Sequence, residues 1–178
     1  MGAMERGAGI PGSWLACGRR RHHLAAMKPI MVIYERVSSE LLDKRNAGAA
    51  MTARQRMVDY ACDYVLVNNG GLIGYFSNGY DLGPHLQALA DLGLPVSGVI
   101  ARIEADLPGF AHMTHDDFER RWNPQDGRHG LDEADSEYFR LISDHVLPTL
   151  MRVLAEHPTE FGLSAAEAAL FANHVAKP

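Results

Sequence analysis

The sequence predicts an all-α protein, a compact domain of about six to eight helices. Apolar residues recur at intervals of three and four through most of the chain, which is the spacing of one helix face. Glycine, asparagine and proline interrupt these runs where helices commonly begin or end. No run combines the strict alternation and β-branched composition of a strand, so a sheet is not expected.

Length and composition favour one domain that folds unaided. Of the 178 residues, 47% are hydrophobic and 22% charged, enough to form a sizeable core. Two cysteines, Cys17 and Cys62, do not make a disulfide framework, and no apolar run approaches the roughly 20 residues of a membrane span. We therefore expect a cytoplasmic protein without a membrane partner.

Residues 1–26 differ from the rest because they are glycine-rich and aperiodic. The arginines at 19–21 could suggest an export signal, but no apolar segment of about 7 to 15 residues follows them. We interpret 1–26 as a disordered leader, or as the product of a start codon placed upstream of Met27. The domain is accordingly assigned to residues 27–178.

Apolar spacing and end signals predict the first two helices. The first is expected over 29–45, with Pro29 in its first turn, where the missing N–H has no cost. Thr52 and Gln55 have the spacing of a capping box, in which each side chain bonds the other residue's backbone N–H. The second helix should therefore start there, and its apolar face continues to Asn68.

The helical pattern is interrupted at Asn68-Asn69-Gly70-Gly71, which we call the knuckle. Asparagine and glycine enter left-handed backbone conformations at low cost and often close helices. A helix stop is favoured over a hairpin turn because the preceding residues have helical spacing. We expect both glycines to be needed for the turn, so that replacing Gly70 with valine would lower stability.

A short aromatic helix with Tyr75 and Phe76 is predicted after the knuckle, ending at Ser77-Asn78-Gly79. We expect the side chains of Asn68 and Asn78 to bond the backbone across this helix. The remaining chain predicts five further helices with recognisable caps or stops. They are placed at about 85–92, 95–107, 114–122, 132–157 and 164–175, with a kink at Pro148 in the fourth.

No set of residues in the sequence has the pattern of an active site. His112 and His115 with Asp116 are the best candidate for a metal site, but no third ligand follows at a matching helical spacing. The serines lack a nucleophile-elbow sequence, and the knuckle is not a phosphate-binding loop. We therefore expect a protein that is not an enzyme and that holds neither a cofactor nor a metal.

The alternative hypothesis is an uncharacterised enzyme or metal-binding protein. Its site would lie near Asn68, Tyr75, Asn78, His112 and His115. Such a site requires a concave pocket in which these polar groups converge, together with a titratable group whose pKa is shifted.

Charge is distributed unevenly along the chain. Residues 1–56 hold 10 basic and 4 acidic residues, a net charge of +6, whereas 57–178 hold 7 and 18, a net charge of −11. Such an acidic body repels nucleic acid and attracts basic proteins. The candidate partner face comprises Asp116, Asp117, Glu119, Asp132, Glu133, Asp135 and Glu137. The alternative interpretation of these acids is an ordinary solvated surface, in which acidic residues are common at helix starts.

The segment from Val67 to Asn78, VNNGGLIGYFSN, resembles a family signature. It is similar to the V-N-N-G-G-F-x-Q-Y-F-x-N pattern of the DNA mimic protein 19-like domain family, also catalogued as domain of unknown function 4375. The similarity extends over about 52–157. The chain departs from the family at Leu66, Leu72 and Gly74, where Glu, Phe and Gln are usual.

The resemblance implies an all-helical fold and a role in binding proteins. The member that gives the family its name is described as an acidic dimer that imitates DNA and occupies a DNA-binding transcription factor. For this chain, it implies an acidic inhibitor or regulator of a basic or DNA-binding protein, without direct contact to nucleic acid, and a homodimer. The motif residues, expected to be architectural, are Asn68, Asn69, Gly70, Gly71, Tyr75, Phe76 and Asn78.

Overall fold

The computed structural model describes residues 21–80, 82–110, 113, 116, 117, 120 and 131–175, with the backbone alone at 21–28 and 141. Within these residues there are helices and turns but no strand, which confirms the all-α prediction. No helix among them is both long enough and apolar enough to cross a membrane.

The described residues form eight α-helices and two shorter helical segments. The α-helices are α1 (Arg21–Asn46), α2 (Ala53–Cys62), α3 (Tyr64–Ser77), α4 (Leu82–Asp91), α5 (Ser97–Asp106), α6 (Asp132–Tyr138), α7 (Asp144–Glu156) and α8 (Ala165–Val175). A π-helical segment, Phe139–Ser143, joins α6 to α7, and a 3-10 turn, Pro158–Phe161, precedes α8. The helix predicted at 114–122 lies largely outside the described residues.

Helix α1 begins earlier than predicted. It starts at Arg21, and Pro29 lies inside it rather than in its first turn. Proline removes one N–H from a helix. However, the leucine, alanines and methionine of 24–27 are strong helix formers, and they extend α1 on the N-terminal side of the proline. The backbone of residues 21–26 is therefore helical, whereas residues 1–20 lie outside the described part.

The capping box at the start of α2 is confirmed. The N–H of Gln55 donates to Thr52 Oγ1 at 3.0 Å, and the N–H of Thr52 donates to Gln55 Oε1 at 3.1 Å. However, the single helix expected from there to the knuckle is two helices, because α2 ends at Cys62 and α3 begins at Tyr64. Asp63 lies between them, and aspartate favours helix starts over helix interiors.

The knuckle breaks α3 at one residue. Gly71 has φ 68° and ψ 179°, a conformation that essentially only glycine adopts, while the helix continues on both sides of it. A Cβ atom there would also overlap with the carboxylate of Asp135, whereas at Gly70 it would meet nothing within 4 Å. The break is therefore confirmed, but the expectation that Gly70 is also needed is wrong.

Other predicted ends agree with the structure. Helix α3 ends at Ser77, and after α4 the N–H of Leu94 bonds the carbonyl of Leu89 at 3.0 Å across Gly93, which has φ 79°. Before α8, the N–H of Ser164 donates to Glu167 at 2.8 Å, completing a capping box.

The long helix predicted at 132–157 is divided by the π-helical segment. Its wide turn ends immediately before Asp144, the residue whose carbonyl the ring of Pro148 would otherwise press against. The expected distortion therefore lies one turn before the proline. Along the whole length, each fourth residue is buried: Ala134, Tyr138, Ile142, Val146, Leu150 and Leu154.

The buried side chains form one continuous cluster to which every described α-helix contributes. Helix α2 packs against α1 and α4, and α7 packs against α8 and α2. Helix α3 packs against α4, α6 and the π-helical segment. The knuckle is thus held against the start of the long helical pair formed by α6 and α7.

Replacing Gly71 with alanine should lower the free energy of unfolding by at least about 2 kcal/mol, because it adds a Cβ atom in a conformation restricted to glycine. Gly70→Ala is the matched control and should raise stability by about 0.5 kcal/mol, since it lies in a helix with open space around it. Urea unfolding of both variants measures the difference. Equal losses would contradict the assignment of the break to Gly71.

Candidate functional site

The knuckle is held by a carboxylate from a distant helix. Asp135 Oδ1, on α6, accepts a hydrogen bond from the N–H of Leu72 at 2.8 Å. Leu72 opens the half of α3 that follows the break, where backbone N–H groups have no helical partner. Asp135 therefore caps this half-helix. Burial raises the pKa of its carboxyl group, and the bond from Leu72 opposes that shift.

The motif asparagines make different contacts. Asn78 Nδ2 donates to the carbonyl of Gly74 at 2.6 Å, so its expected backbone bond within the short helix is confirmed. Asn68 Oδ1 instead accepts from the hydroxyl of Ser143, at 3.1 Å, so the backbone bond expected for it is wrong. Asn68 and Asn69 are both exposed. The side chain of Asn68 therefore joins α3 to the end of the π-helical segment.

The motif aromatics are buried. Tyr75 is 1% exposed and donates its hydroxyl to Asp63 Oδ2 at 2.8 Å, and Phe76 is also buried. The ring of Tyr75 stacks on that of Tyr80, with their centroids 5.0 Å apart. These contacts give the motif a structural role in the core.

Sequence reasoning missed a charge cluster in which the half-buried Arg45 contacts the buried Asp59 and Asp63. Two nitrogens of its guanidinium donate to the two oxygens of Asp63, each at 3.0 Å, and its Nε lies 3.2 Å from Asp59 Oδ2. Its guanidinium also lies over the ring of Tyr60, 4.8 Å from the centroid. The available signal was a pair of acids four residues apart in the otherwise apolar segment 57–67.

His85 extends the polar interior to α4 and α6. It is fully buried, with Nδ1 2.7 Å from the carbonyl of Tyr60 and Nε2 3.1 Å from the hydroxyl of Tyr138. Because a carbonyl only accepts, Nδ1 carries the proton and Nε2 accepts from Tyr138. Burial lowers the pKa of His85 and raises that of Tyr138. Burial therefore favours the neutral imidazole.

Asp59 is the least satisfied member of the cluster. Burial raises the pKa of its carboxyl to about 6, Arg45 opposes this, and the neighbouring charge of Asp63 adds to it. Its Oδ2 is close to Arg45 yet has no hydrogen-bond partner of acceptable geometry. One guanidinium thus serves two carboxylates, and Asp63 has the better-aligned bonds.

The described acids of the candidate partner face are divided among several contacts. Ion pairs join Asp117 to Arg120, Glu133 to Arg102, and Glu137 to Arg140, the last at 2.8 Å. Asp135 is turned toward the knuckle, whereas Asp116 and Asp132 are exposed. Glu119 lies outside the described residues. In the described part of this face, arginines interrupt the row of acids.

The residues of the alternative enzyme site do not converge within the described structure. Asn68 contacts Ser143 at the surface, Tyr75 points into the core, and Asn78 binds the end of its own helix. His112 and His115 lie outside the described residues. Among the residues that are described, no group of three or more histidine, cysteine or acidic side chains is placed to hold a metal.

A surface groove of about 340 Å³ lies where α3 meets the π-helical segment and α7. Its lining residues are Tyr64, Asn68, Ser143, Asp144, Leu147, Pro148, Met151 and His174. The groove therefore combines polar groups near the knuckle with apolar residues of α7. Asn68 of the motif lines it, and sequence reasoning did not find it because its residues come from three separate segments.

No family model, curated protein or solved structure shows significant similarity to the chain. The resemblance to the DNA mimic protein 19-like domain family thus rests on the motif residues and stays a prediction.

Replacing Asp63 with asparagine should reduce the free energy of unfolding by about 3 kcal/mol, because Arg45 would lose its bidentate partner inside the protein. Asp91→Asn is the control: this exposed acid of α4 accepts a hydrogen bond from Gln87 at the surface and should change stability by less than about 0.5 kcal/mol. Urea unfolding compares the two variants. Similar effects of both substitutions would contradict a central role for the ion pair.

The pKa of Asp59 predicts a pH-dependent effect of Asp59→Asn. The folded-state pKa of Asp59 is about 6 and its unfolded value is roughly 4, so the folded protein binds more protons between these two pH values. The free energy of unfolding therefore falls as pH rises through this range. The variant lacks this loss. Relative to the unsubstituted protein, its stability should therefore rise by up to about 3 kcal/mol between pH 4 and pH 7.

Unfolding at several pH values measures this difference. The lowered pKa of His85 acts in the opposite direction, since its contribution is complete above the unfolded value of about 6.5 and is lost as pH falls. His85 is present in both proteins, so its contribution cancels in the comparison. A difference in stability that is constant with pH would contradict the raised pKa of Asp59.

Proposed function

We propose that the chain is a non-catalytic protein-binding module that recognises a basic partner. The observation that carries the proposal is the groove beside Asn68. There the exposed carboxylate of Asp144 borders apolar side chains and forms no ion pair with any described residue. The net charge of −11 over 57–178 would draw a basic protein toward this surface.

The placement of the shifted titratable groups favours binding over catalysis. Asp59, His85 and Tyr138 are buried, and each lies against another residue of the interior. A catalytic acid or base has to reach the proton that it transfers, directly or through one water molecule. None of these three side chains lines the groove. Their shifted pKa values therefore support a structural role for the cluster.

The pairing of acids favours ordinary protein recognition over imitation of DNA. Duplex DNA carries one negative charge per roughly 1.7 Å of its axis. Along α6, by contrast, Glu133 and Glu137 are paired with arginines and Asp135 caps the knuckle. The family resemblance supports a protein partner in general, and the groove supplies apolar contact that charge imitation does not require.

Capture of partners by the immobilised full chain tests this proposal. From a lysate of the source cells at about 0.05 M salt, we expect basic proteins to be retained specifically and to be released at about 0.5 M, because screening shortens the range of charge attraction. An unrelated acidic protein of equal net charge serves as the control. Absence of specific capture, or capture unaffected by salt, would overturn the proposal.

A further inference from the structure

We infer that the groove is a docking site for an arginine side chain of the partner, flanked in the partner's chain by an apolar residue. This inference rests on the proposed function and adds the position of the site and the chemistry that it selects. Three features of the groove support it: the irregular backbone, the polar rim and the apolar floor.

Two irregular helical segments meet at the rim of the groove. The break at Gly71 follows Asn68 by less than one turn, and the π-helical segment ends at Ser143. The hydrogen bond between Asn68 and Ser143 ties the two segments together. Single π-turns are frequent at functional sites because they displace side chains from the regular helical position. Here the displacement brings Ser143 to the motif asparagine.

The rim is rich in hydrogen-bond acceptors. The carboxylate of Asp144 is exposed, and the oxygens of Asn68 and Ser143 lie beside it in the same groove. Pro148 has no N–H, so the backbone carbonyl of Asp144 lacks its ordinary donor four residues later. A planar guanidinium offers five donors and no acceptor, which fits such a rim better than the three donors of an ammonium group.

The floor of the groove is apolar. Leu147 and Met151 lie one turn apart on α7, with Pro148 between them. The hydrocarbon stem of an arginine packs against such a surface while its guanidinium reaches the rim. Leu147 is half-buried and Pro148 is exposed, so the floor can also accept an apolar residue adjacent to the arginine. Charge and floor together therefore favour a protein segment over a small cation.

Amide NMR spectra of the full chain, titrated with N-acetyl-leucyl-arginine amide, test the site directly. We expect shifts centred on Asn68, Ser143 and Asp144, and binding at least about tenfold weaker for the same peptide with neutral citrulline in place of arginine. Asp144→Asn should weaken binding of the arginine peptide about tenfold, whereas the control Asp91→Asn should leave it unchanged. Unfolding curves verify that both variants are folded.

Equal binding of the citrulline peptide, or shifts located elsewhere, would overturn the inference. So would concentration-dependent shifts at the groove without peptide, because a second copy of the chain would then be the occupant. If Asp144→Asn still captures the basic partner fully, the inference fails while the proposed function stands. If the arginine peptide binds at the groove but no basic protein is captured, the proposed function fails while the arginine site stands.

Discussion

The ion pair between Arg45 and Asp63 is the contact on which the arrangement of the helices depends. Arg45 lies in the last turn of α1, and Asp63 lies between α2 and α3. The same carboxylate accepts the hydroxyl of Tyr75, which follows the break, so one residue joins three helices and both halves of α3. Removing one partner of such a pair would leave a poorly hydrated charge, whose cost exceeds that of most surface changes.

Local signals were sufficient for much of the secondary structure. The capping boxes at Thr52 and Ser164 and the stop at Gly93 are decided within a few residues, and the structure confirms them. The division at Asp63 and the π-helical segment were missed, although Asp63 and Pro148 mark them locally, because the apolar periodicity continues through both. The start of α1 was misplaced because proline was taken as a boundary and lies within the helix.

The candidate site was predicted only in part because its contacts join residues that are far apart in the sequence. The sequence located the break at the knuckle, but not the partners that define it: Asp135 is 63 positions from Leu72, and Ser143 is 75 positions from Asn68. Composition likewise predicted a net acidic charge, but it did not predict which acids form ion pairs with arginines. Asp135 looked like part of a partner face because four acids cluster in one short segment, yet the fold turns its side chain inward.

The cap at Leu72 also has a consequence for the order of assembly. The first half of α3 contains its own hydrogen-bonding partners, whereas the start of the second half needs a carboxylate from α6. Bringing Asp135 to Leu72 closes the long stretch of chain between them, which costs chain entropy before the cap forms. Contacts of this kind therefore tend to form late in folding. The backbone amide of Leu72 is consequently a natural reporter of docking: its exchange with solvent measures how often α6 separates from the knuckle while the remaining helices stay packed.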